Sequence, residues 1–315
     1  MSGGDPGVDA VVGCIASLSF SQVAPWVGSL ETCGFQGRKI VIYLRVDAQT
    51  RGELEDRGFE LYDAAPLHGE SHRNLRKNSN PEEISVNRFF YLWYFLSRVG
   101  LNPPIRNVIA TDASDVIFQQ DPSGWLEQHM GTKRLVVGSE SLRFEDEPWG
   151  AATMVDCFGP QVWDAYRHNI IYNAGSFAGE YQTVVDLALQ MYLIAPGDRI
   201  LYSDQQALNL LLGSKLYRDI TLFACSEDGW ACQAGTIADP NLLEIVRPKL
   251  LSPEPHFDGE FVLTATGEKF TIVHQYNRVS SWNARLKQKY ATPVRRVSHE
   301  TRNGWWQRVI TRSKP

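Results

Sequence analysis

The segment AVVGCIA, residues 10–16, is continuously apolar, which is typical of a β-strand that is buried on both faces of a parallel sheet. The residues that follow predict an amphipathic helix, because their apolar side chains recur at helical spacing and the pattern stops at Gly34. The members of this apolar stripe are Val23, Trp26, Val27 and Leu30. The chain therefore opens with a strand and a helix that both pack into a core.

The same alternation of strand and helix continues through the first third of the chain. A second buried strand, a short helix and a third strand are predicted at residues 39–44, 47–57 and 59–62. A β-α-β-α-β unit of this kind forms a parallel sheet with right-handed crossovers, so the fold class is α/β and Rossmann-like. The turn Ser17-Leu18-Ser19 after the first strand has no G-x-G-x-x-G fingerprint, which argues against a dinucleotide-binding dehydrogenase but not against a mononucleotide site.

The rest of the chain predicts three more helices, two more buried strands and a hairpin. The helices are predicted at residues 80–100, 181–194 and 203–212, the strands at 106–111 and 135–138, and the hairpin at 261–274. The first of these helices opens with an N-cap at Asn80, and the hairpin has Thr266-Gly267 in its turn.

The composition is that of an ordinary globular protein with an uneven charge distribution. The 315 residues are 43% apolar and 21% charged, which is enough for a packed core. The net charge is −5, but nine basic residues and one acidic residue lie from Arg285 onward, so that the rest holds 22 basic and 35 acidic residues. An acidic body argues against a nucleic-acid groove and suits a site that collects divalent cations. The basic tail has two interpretations: contact with an anionic membrane or a substrate phosphate, or a solvated terminus.

The cysteines and the amino terminus predict a reduced, cytoplasmic protein without structural zinc. The five cysteines are an odd number, and no two have the C-x-x-C spacing. The opening MSGGDPGVDA lacks the basic and apolar regions of a signal peptide, and no apolar stretch approaches the roughly 20 residues that span a bilayer.

Arg88 lies inside the predicted helix 80–100, which is apolar nearly all round. A buried guanidinium needs an anionic partner. Two kinds of partner are consistent with the sequence: a purely structural carboxylate, or the diphosphate or metal-site carboxylates of a functional site.

Asp112 and Asp115 follow directly after the predicted strand 106–111. In open α/β sheets, ligands bind at the carboxyl ends of the strands. Two carboxylates at this spacing repel each other unless a cation lies between them, and oxygen ligands suit Mg²⁺ or Mn²⁺. The alternative is a polar turn, in which aspartate is also common.

The run TDASDVIFQQDP, residues 111–122, resembles the DxD-type motif of GT-A-fold glycosyltransferases. It looks most like the D-x-x-D variant in the glycosyltransferase domains of collagen-modifying lysyl hydroxylases. Three further segments resemble motifs of such enzymes and follow in the same order. They are Tyr172-Asn173-Ala174-Gly175, Ser203-Asp204-Gln205-Gln206 and Val273-His274-Gln275-Tyr276-Asn277-Arg278. The resemblance covers roughly residues 10–290 as short motifs, and it implies the GT-A fold: a mixed, mostly parallel sheet flanked by helices.

The resemblance also implies roles for the matching residues. The implied ligands of Mn²⁺ or Mg²⁺ are Asp112, Asp115 and His274. The implied sugar-binding residues are Asn173, Ala174, Gly175, Asp204 and Gln205, and the candidate catalytic residues are Asp204, Asn173 and Arg88. Candidates for nucleotide contact come from the ends of three predicted strands and are Ala16, Ser17, Arg45, Asp47, Asp112 and Ser114. The implied partner is a UDP- or GDP-linked sugar, and the acceptor is unknown.

Each motif also has a structural interpretation. His274 ends a predicted strand, and taken in isolation it is more consistent with a hydrogen-bonded histidine of the core or rim. Asp204 belongs to an S-x-x-Q capping box, where a carboxylate is favourable at a helix N-terminus. Asn173 and Gly175 are common turn residues. The acidic segment 140–149 is either an acceptor-side or lid element or an ordinary surface loop.

The sequence therefore predicts a metal-dependent glycosyltransferase that uses a nucleotide-diphosphate sugar, with retention of configuration favoured by the resemblance. One alternative is a flavin-independent pyranose–furanose mutase on the same scaffold, and another is a non-catalytic nucleotide-sugar binding protein. The predicted catalytic domain comprises residues 1–290, with a nucleotide-binding half of about 1–120 and an acceptor and sugar half of about 121–290. Residues 291–315 form the predicted basic tail.

Overall fold

The computed structural model describes residues 7–68, 84–98, 103–196, 200 and 202–291. In this part of the chain, helices surround a seven-stranded central sheet and a three-stranded second sheet, and two short strands form a separate ribbon. The strands are β1 (Val8–Ala16), β2 (Arg38–Leu44), β3 (Phe59–Asp63), β4 (Ile105–Thr111), β5 (Val116–Phe118), β6 (Leu135–Arg143), β7 (Ile170–Glu180), β8 (Thr221–Ala224), β9 (Ala231–Gln233), β10 (His256–Phe257), β11 (Val262–Leu263) and β12 (Ile272–His274).

The α-helices alternate with these strands. They are α1 (Phe20–Thr32), α2 (Ala48–Glu55), α3 (Ile84–Leu96), α4 (Pro122–His129), α5 (Pro148–Phe158), α6 (Pro160–Tyr166), α7 (Tyr181–Ile194), α8 (Asp204–Gly213), α9 (Lys215–Arg218), α10 (Pro240–Val246) and α11 (Ser280–Tyr290). Among the described residues, no helix is both long enough and apolar enough to cross a membrane.

The central sheet has the strand order β3-β2-β1-β4-β7-β6-β8. Strand β7 runs antiparallel to both of its neighbours, β4 and β6, whereas the other described pairs are parallel. The carboxyl ends of β1, β4 and β6 and the amino end of β7 therefore lie at one edge, which we call the carboxyl edge. The predicted mixed, mostly parallel α/β sheet is confirmed.

The second sheet has the order β5-β12-β9, with β12 antiparallel to β5 and parallel to β9. Its register places His274 opposite both Val116 and Gln233. Since Asp115 directly precedes β5, this small sheet brings an aspartate, a glutamine and a histidine from three distant parts of the chain to one point.

Both faces of the central sheet are buried, because side chains from its strands alternate between two cores. On one face Val12 belongs to a cluster with Phe89 of α3 and Met191 of α7. On the other face Val11 belongs to a cluster with Trp26 of α1. Burial on both faces explains why β1 is apolar at nearly every position rather than at alternate positions.

Most of the predicted elements form close to their expected bounds. The helices predicted at 181–194 and 203–212 are α7 and α8, and the strand predicted at 135–138 is the first part of the longer β6. The predicted N-cap at Asn80 lies outside the described residues, as do residues 292–315 of the predicted basic tail. The division into two halves stays a prediction, although strands from both sides of it pair in one sheet.

One local prediction is wrong and a second is confirmed only in part. The S-x-x-Q capping box before α8 does not form, because Ser203 has helical backbone angles and its hydroxyl finds no partner among the described residues. The hairpin predicted at 261–274 forms only between about residues 262 and 270, where Leu263 and Lys269 form an antiparallel bridge. A tight turn forms at residues 264–267, but β12 leaves it to pair with β5 on one side and β9 on the other. Two neighbours satisfy more backbone hydrogen bonds than one short hairpin partner does.

The end of the sheet opposite the carboxyl edge is held by an ion pair between a buried aspartate and an exposed arginine. Asp9 of β1 is 3% exposed and accepts two hydrogen bonds from Arg106 of β4, at 2.9 and 3.0 Å, and one from Asn107 at 3.0 Å. Burial alone would raise the pKa of Asp9, but these hydrogen bonds outweigh it and hold the pKa below its ordinary value. The ionised carboxylate therefore stabilises the folded state.

The substitution Asp9→Asn is expected to lower the free energy of unfolding by about 1–2 kcal/mol at pH 7, because the amide places a donor against the donors of Arg106. A carboxyl whose pKa is lowered by folding contributes stability above its unfolded pKa and loses it as the pH falls. The difference from wild type should therefore stay constant from pH 7 down to about pH 4 and shrink only below it. Urea unfolding of wild type and Asp9→Asn across this pH range measures the difference, and the exposed Asp164→Asn is the control. Equal unfolding free energies of wild type and Asp9→Asn at pH 7 would contradict the stabilising role of Asp9.

Candidate functional site

Three side chains with metal-ligating atoms meet at the carboxyl edge. Asp112 follows β4, Asp115 precedes β5 and His274 ends β12. The Nε2 atom of His274 lies 3.5 Å from Oδ2 of Asp112 and 3.7 Å from Oδ2 of Asp115. Each of the three residues offers one ligand atom, and these three atoms all lie within 4.8 Å of one another. The structure thus brings together the three residues that the sequence predicts as metal ligands.

Backbone hydrogen bonds tie the segment between the two aspartates to both sheets. The N–H of Asp112 donates to the carbonyl of Gly175 in β7 at 2.9 Å. The N–H of Gln275 donates to the carbonyl of Asp115 at 2.7 Å. Both carboxylates are therefore carried by a fixed backbone rather than by a free loop.

The imidazole of His274 is oriented by Gln233, the last residue of β9. His274 is 2% exposed, and its Nδ1 lies 2.8 Å from Oε1 of Gln233. The Nε2 of Gln233 donates in turn to Oγ of Ser176 at 3.2 Å, which turns the amide oxygen towards the ring. Because that oxygen can only accept, Nδ1 carries the proton and Nε2 presents its lone pair to the aspartates. Burial, opposed by the charge of Asp115, lowers the pKa of His274 and favours the neutral form that ligates metals.

Gly175 leaves the space that this ring occupies. A Cβ atom at this position would lie 2.6 Å from Nε2 of His274 and 2.9 Å from Oδ1 of Asn173. Contacts this short would force the imidazole or the amide to move. The glycine of the N-A-G segment is thus explained mainly by close packing against His274, and Asn173 and Gly175 lie in β7 rather than in a turn between elements.

The donor set fits a divalent cation such as Mn²⁺ or Mg²⁺. Two carboxylates and one neutral imidazole are ligands that such ions accept. The Nε2 of His274 and Oδ1 of Asp115 are buried, and neither has a hydrogen-bond partner among the described residues. Unpaired buried polar atoms are costly, and one shared cation would satisfy both.

Arg88, on α3, contacts the carboxylates of this site. Its Nη1 is paired with Asp112, and its Nη2 donates to Oδ2 of Asp204 at 2.8 Å and to the carbonyl of Ala174 at 3.2 Å. The predicted anionic partners are therefore carboxylates of the site, whereas contact with a diphosphate stays a prediction. One guanidinium joins the segment after β4 to the first turn of α8.

A second hydrogen-bonded network lies beside this pair, where β6 and β7 adjoin. The Nδ2 of Asn173 donates to Oε1 of Glu140 at 2.6 Å and to Oε1 of Gln205 at 3.0 Å. Burial raises the pKa of Glu140, and it raises the pKa of Asp204 despite the opposing charge of Arg88. Amide and carboxyl groups of this kind are suited to hydrogen bonds with hydroxyl groups.

Apart from Gln233 and Ser176, which lie behind His274, these residues line one cleft of about 730 Å³, a volume typical of small-molecule sites. Among the described residues, its charged lining consists of five carboxylates and two guanidiniums: Asp112, Asp115, Glu140, Glu147 and Asp204, with Arg88 and Arg278. Such a lining would repel an anionic nucleotide diphosphate. A divalent cation between the carboxylates and the ligand would reverse this balance.

The fold resembles that of solved glycosyltransferases. Mouse xyloside xylosyltransferase 1, in its apo form, matches with a TM-score of 0.52 and 12% identity, over 84% of this chain and 97% of that one. The galactosyltransferase LgtC, in complex with donor and acceptor sugar analogues, matches with a TM-score of 0.55 and 14% identity, over 92% and 98%. The apo bifunctional glycosyltransferase WbbM matches with a TM-score of 0.52 and 10% identity, over 90% of this chain and 52% of that one. This chain has the GT-A fold.

The likeness is one of GT-A architecture and not of sequence. The chain matches no protein-family model and no curated protein. It spans about half the length of WbbM but nearly the whole length of the other two structures.

The other predicted site residues fall into two groups on this GT-A scaffold. Ala16 and Ser114 line the cleft. Ser17, Arg45 and Asp47 are exposed and are not among the residues that line it. The carboxylate of Asp47 instead caps α2, where it accepts a hydrogen bond of 2.8 Å from a backbone N–H of the first turn. Contact of these three residues with a nucleotide stays a prediction.

Three residues of the cleft and its surroundings had no individual role assigned from the sequence, although Glu140 begins the acidic segment 140–149. Glu140 follows the predicted strand 135–138, so its position at the carboxyl edge was a usable signal. Arg278 was part of the His274 segment and lines the cleft beside it. Nothing in the local sequence marks Gln233 as a site residue, because its contact with His274 depends on the register between β9 and β12.

The substitution Gln233→Leu is expected to weaken Mn²⁺ binding by roughly 10- to 100-fold, because the imidazole of His274 loses the partner that fixes its tautomer and orientation. Isothermal titration with Mn²⁺ measures the affinity, and circular dichroism checks that the variant is folded. The exposed Gln36→Leu serves as the matched control. Unchanged Mn²⁺ affinity in a folded Gln233→Leu variant would contradict the role of Gln233.

Proposed function

We propose that this chain is a metal-dependent glycosyltransferase whose donor is a nucleotide-diphosphate sugar. The observation that supports it most is the convergence of Asp112, Asp115 and His274 in a cleft at the carboxyl edge of a GT-A fold. In the proposed reaction, an acceptor hydroxyl oxygen bonds to C1 of the sugar as the bond from C1 to the diphosphate oxygen breaks. The nucleoside diphosphate leaves with the bonding electrons, and the hydroxyl proton is released.

The proposed metal ligands are Asp112, Asp115 and His274, and the ion that they would hold is Mn²⁺ or Mg²⁺. Such an ion, when bound, neutralises negative charge on the leaving diphosphate. Arg88 adds a fixed positive charge beside the same carboxylates, and its bonds to Asp112 and Asp204 hold both groups in position. The charged parts of the site are therefore preorganised before the donor binds.

The proposed sugar site is the network beside Arg88. The amide of Asn173 is held by Glu140 and Gln205, so these groups present donors and acceptors in defined directions to sugar hydroxyls. Asp204 lies at the same wall of the cleft and is the proposed partner of the reacting sugar. Retention of configuration is proposed because the four motifs resemble those of retaining enzymes.

The proposed nucleotide site is the β1 side of the cleft. Ala16 lines the cleft at the end of β1, and Ser114 lies between the two aspartates. A base and ribose bound there would leave the diphosphate next to Asp112 and Asp115. UDP and GDP are both proposed as the nucleotide part of the donor.

The substitutions Asp112→Asn and Asp115→Asn are each expected to lower turnover by roughly 100-fold or more, because each removes one anionic ligand and the ion is held less well. Release of nucleoside diphosphate from UDP- and GDP-linked sugars, with Mn²⁺, with Mg²⁺ and with EDTA, measures turnover. The exposed Asp164→Asn is the charge-matched control. Thermal shifts with UDP and GDP in the presence of Mn²⁺ identify the base.

Full metal-dependent turnover in both aspartate variants would show that the site is assigned wrongly. Product analysis by NMR tests transfer itself and the configuration at C1. An isomerised sugar that is still linked to the nucleotide would contradict the proposed transfer reaction, and nucleotide binding without turnover of any donor would contradict catalysis.

A further inference from the structure

Two large aromatic side chains are exposed at the same cleft. Trp149 is 46% exposed and Tyr202 is 60% exposed, and both line the cleft that holds the aspartates. Neither side chain has a recorded ring contact or hydrogen bond with another residue in the described part of the chain. Exposed apolar groups grouped at a cleft indicate a binding surface, whereas single exposed ones do not.

The backbone of Trp149 is held rigidly. It lies in the first turn of α5, where its N–H donates to Oε1 of Glu147 at 3.1 Å and its carbonyl accepts from Oγ1 of Thr153 at 2.7 Å. Glu147 and the neighbouring Leu242 of α10 line the same cleft. The indole is thus presented to the cleft from a fixed position, which lowers the entropy lost on binding.

Tyr202 is held in an unusual conformation just before α8. Its φ of 58° lies in the left-handed region, which is rare for a residue with a bulky side chain. It stands two residues before Asp204, which is bonded to Arg88. A strained backbone that presents an exposed aromatic ring next to buried charged groups is typical of a functional position.

Trp149 lies on the β6 side of the cleft, away from the proposed nucleotide site at the end of β1. Trp149 lies in α5, which follows β6 in the chain, and Glu140 lies in the second half of β6 itself, whereas Ala16 ends β1. In the sheet order β1-β4-β7-β6, the carboxyl ends of β1 and β6 are three strand spacings apart, which is roughly 14 Å. The aspartates after β4 lie between them.

We propose that Trp149 and Tyr202 form the acceptor site and that the acceptor is a saccharide whose pyranose ring stacks on them. This inference rests on the proposed function. A pyranose ring has an apolar C–H face that packs on an aromatic ring and a hydroxyl rim that needs hydrogen bonds. The cleft offers both, since the carboxylate of Glu147 and the hydroxyl of Thr236, which are not part of the proposed donor-sugar site, lie in the same lining.

The kinetic test separates transfer from hydrolysis of the donor. With the nucleotide sugar that wild type hydrolyses, Trp149→Ala and Tyr202→Ala are each expected to raise the KM for a saccharide acceptor by roughly 3- to 10-fold. Donor hydrolysis without acceptor and the thermal shift with UDP or GDP and Mn²⁺ should stay within about twofold of wild type. Trp149→Phe should restore most of the acceptor KM, and Leu216→Ala, 65% exposed and outside the cleft, is the control.

Direct binding is measured by ¹⁹F NMR on protein labelled with 5-fluorotryptophan, in which the Trp149 signal is assigned from Trp149→Phe. Lactose, cellobiose and maltose at millimolar concentrations are expected to shift this signal. A signal that responds to UDP or GDP with Mn²⁺ but to no disaccharide would overturn the inference, as would an unchanged acceptor KM in both alanine variants. Absence of any nucleotide binding or hydrolysis in wild type would instead overturn the proposed function while leaving a saccharide-induced shift intact.

Discussion

Repulsion between carboxylates is the constraint on which the arrangement of this site depends. Asp112, Asp115 and Asp204 line one cleft, and the guanidinium of Arg88 contacts two of them. Like charges held this close are stable only when positive charge compensates them. The neighbouring structure is consistent with a cation as the missing charge, because the lone pair of His274 is turned towards the aspartates and not towards a hydrogen-bond donor.

Two sheets are needed to build this arrangement, and the direction of one strand decides it. Because β7 runs against β4 and β6, its amino end brings Asn173 and Gly175 to the carboxyl edge. A parallel strand in that place would put the same residues at the opposite edge. The second sheet supplies the nitrogen ligand, since β12 ends beside Asp115 and next to the end of β9. The site therefore depends on strand direction as much as on residue type.

The sequence was sufficient for the fold class and for the residues of the cluster, and it failed where tertiary register decides. The apolar run of β1 reports burial on both faces, and the aspartates after β4 mark a strand end, so both are local signals. Gln233 could not be found this way, because it meets His274 across 41 residues through the pairing of two three-residue strands. The different partners of residues 272–274, the last part of the predicted hairpin, have the same cause: a local turn signal does not say which strand becomes the partner.

The position of β12 near the carboxyl end of the described chain has a consequence for synthesis. His274 and the aspartates it joins are separated by about half of the chain. Domains fold as the chain emerges, so β1 to β4 can assemble long before β12 leaves the ribosome. During that interval the acidic pair is without its imidazole. Nascent or truncated chains that end before β12 would contain most strands of the central sheet but would lack His274. The cluster of Asp112, Asp115 and His274 is therefore completed late in synthesis and folding.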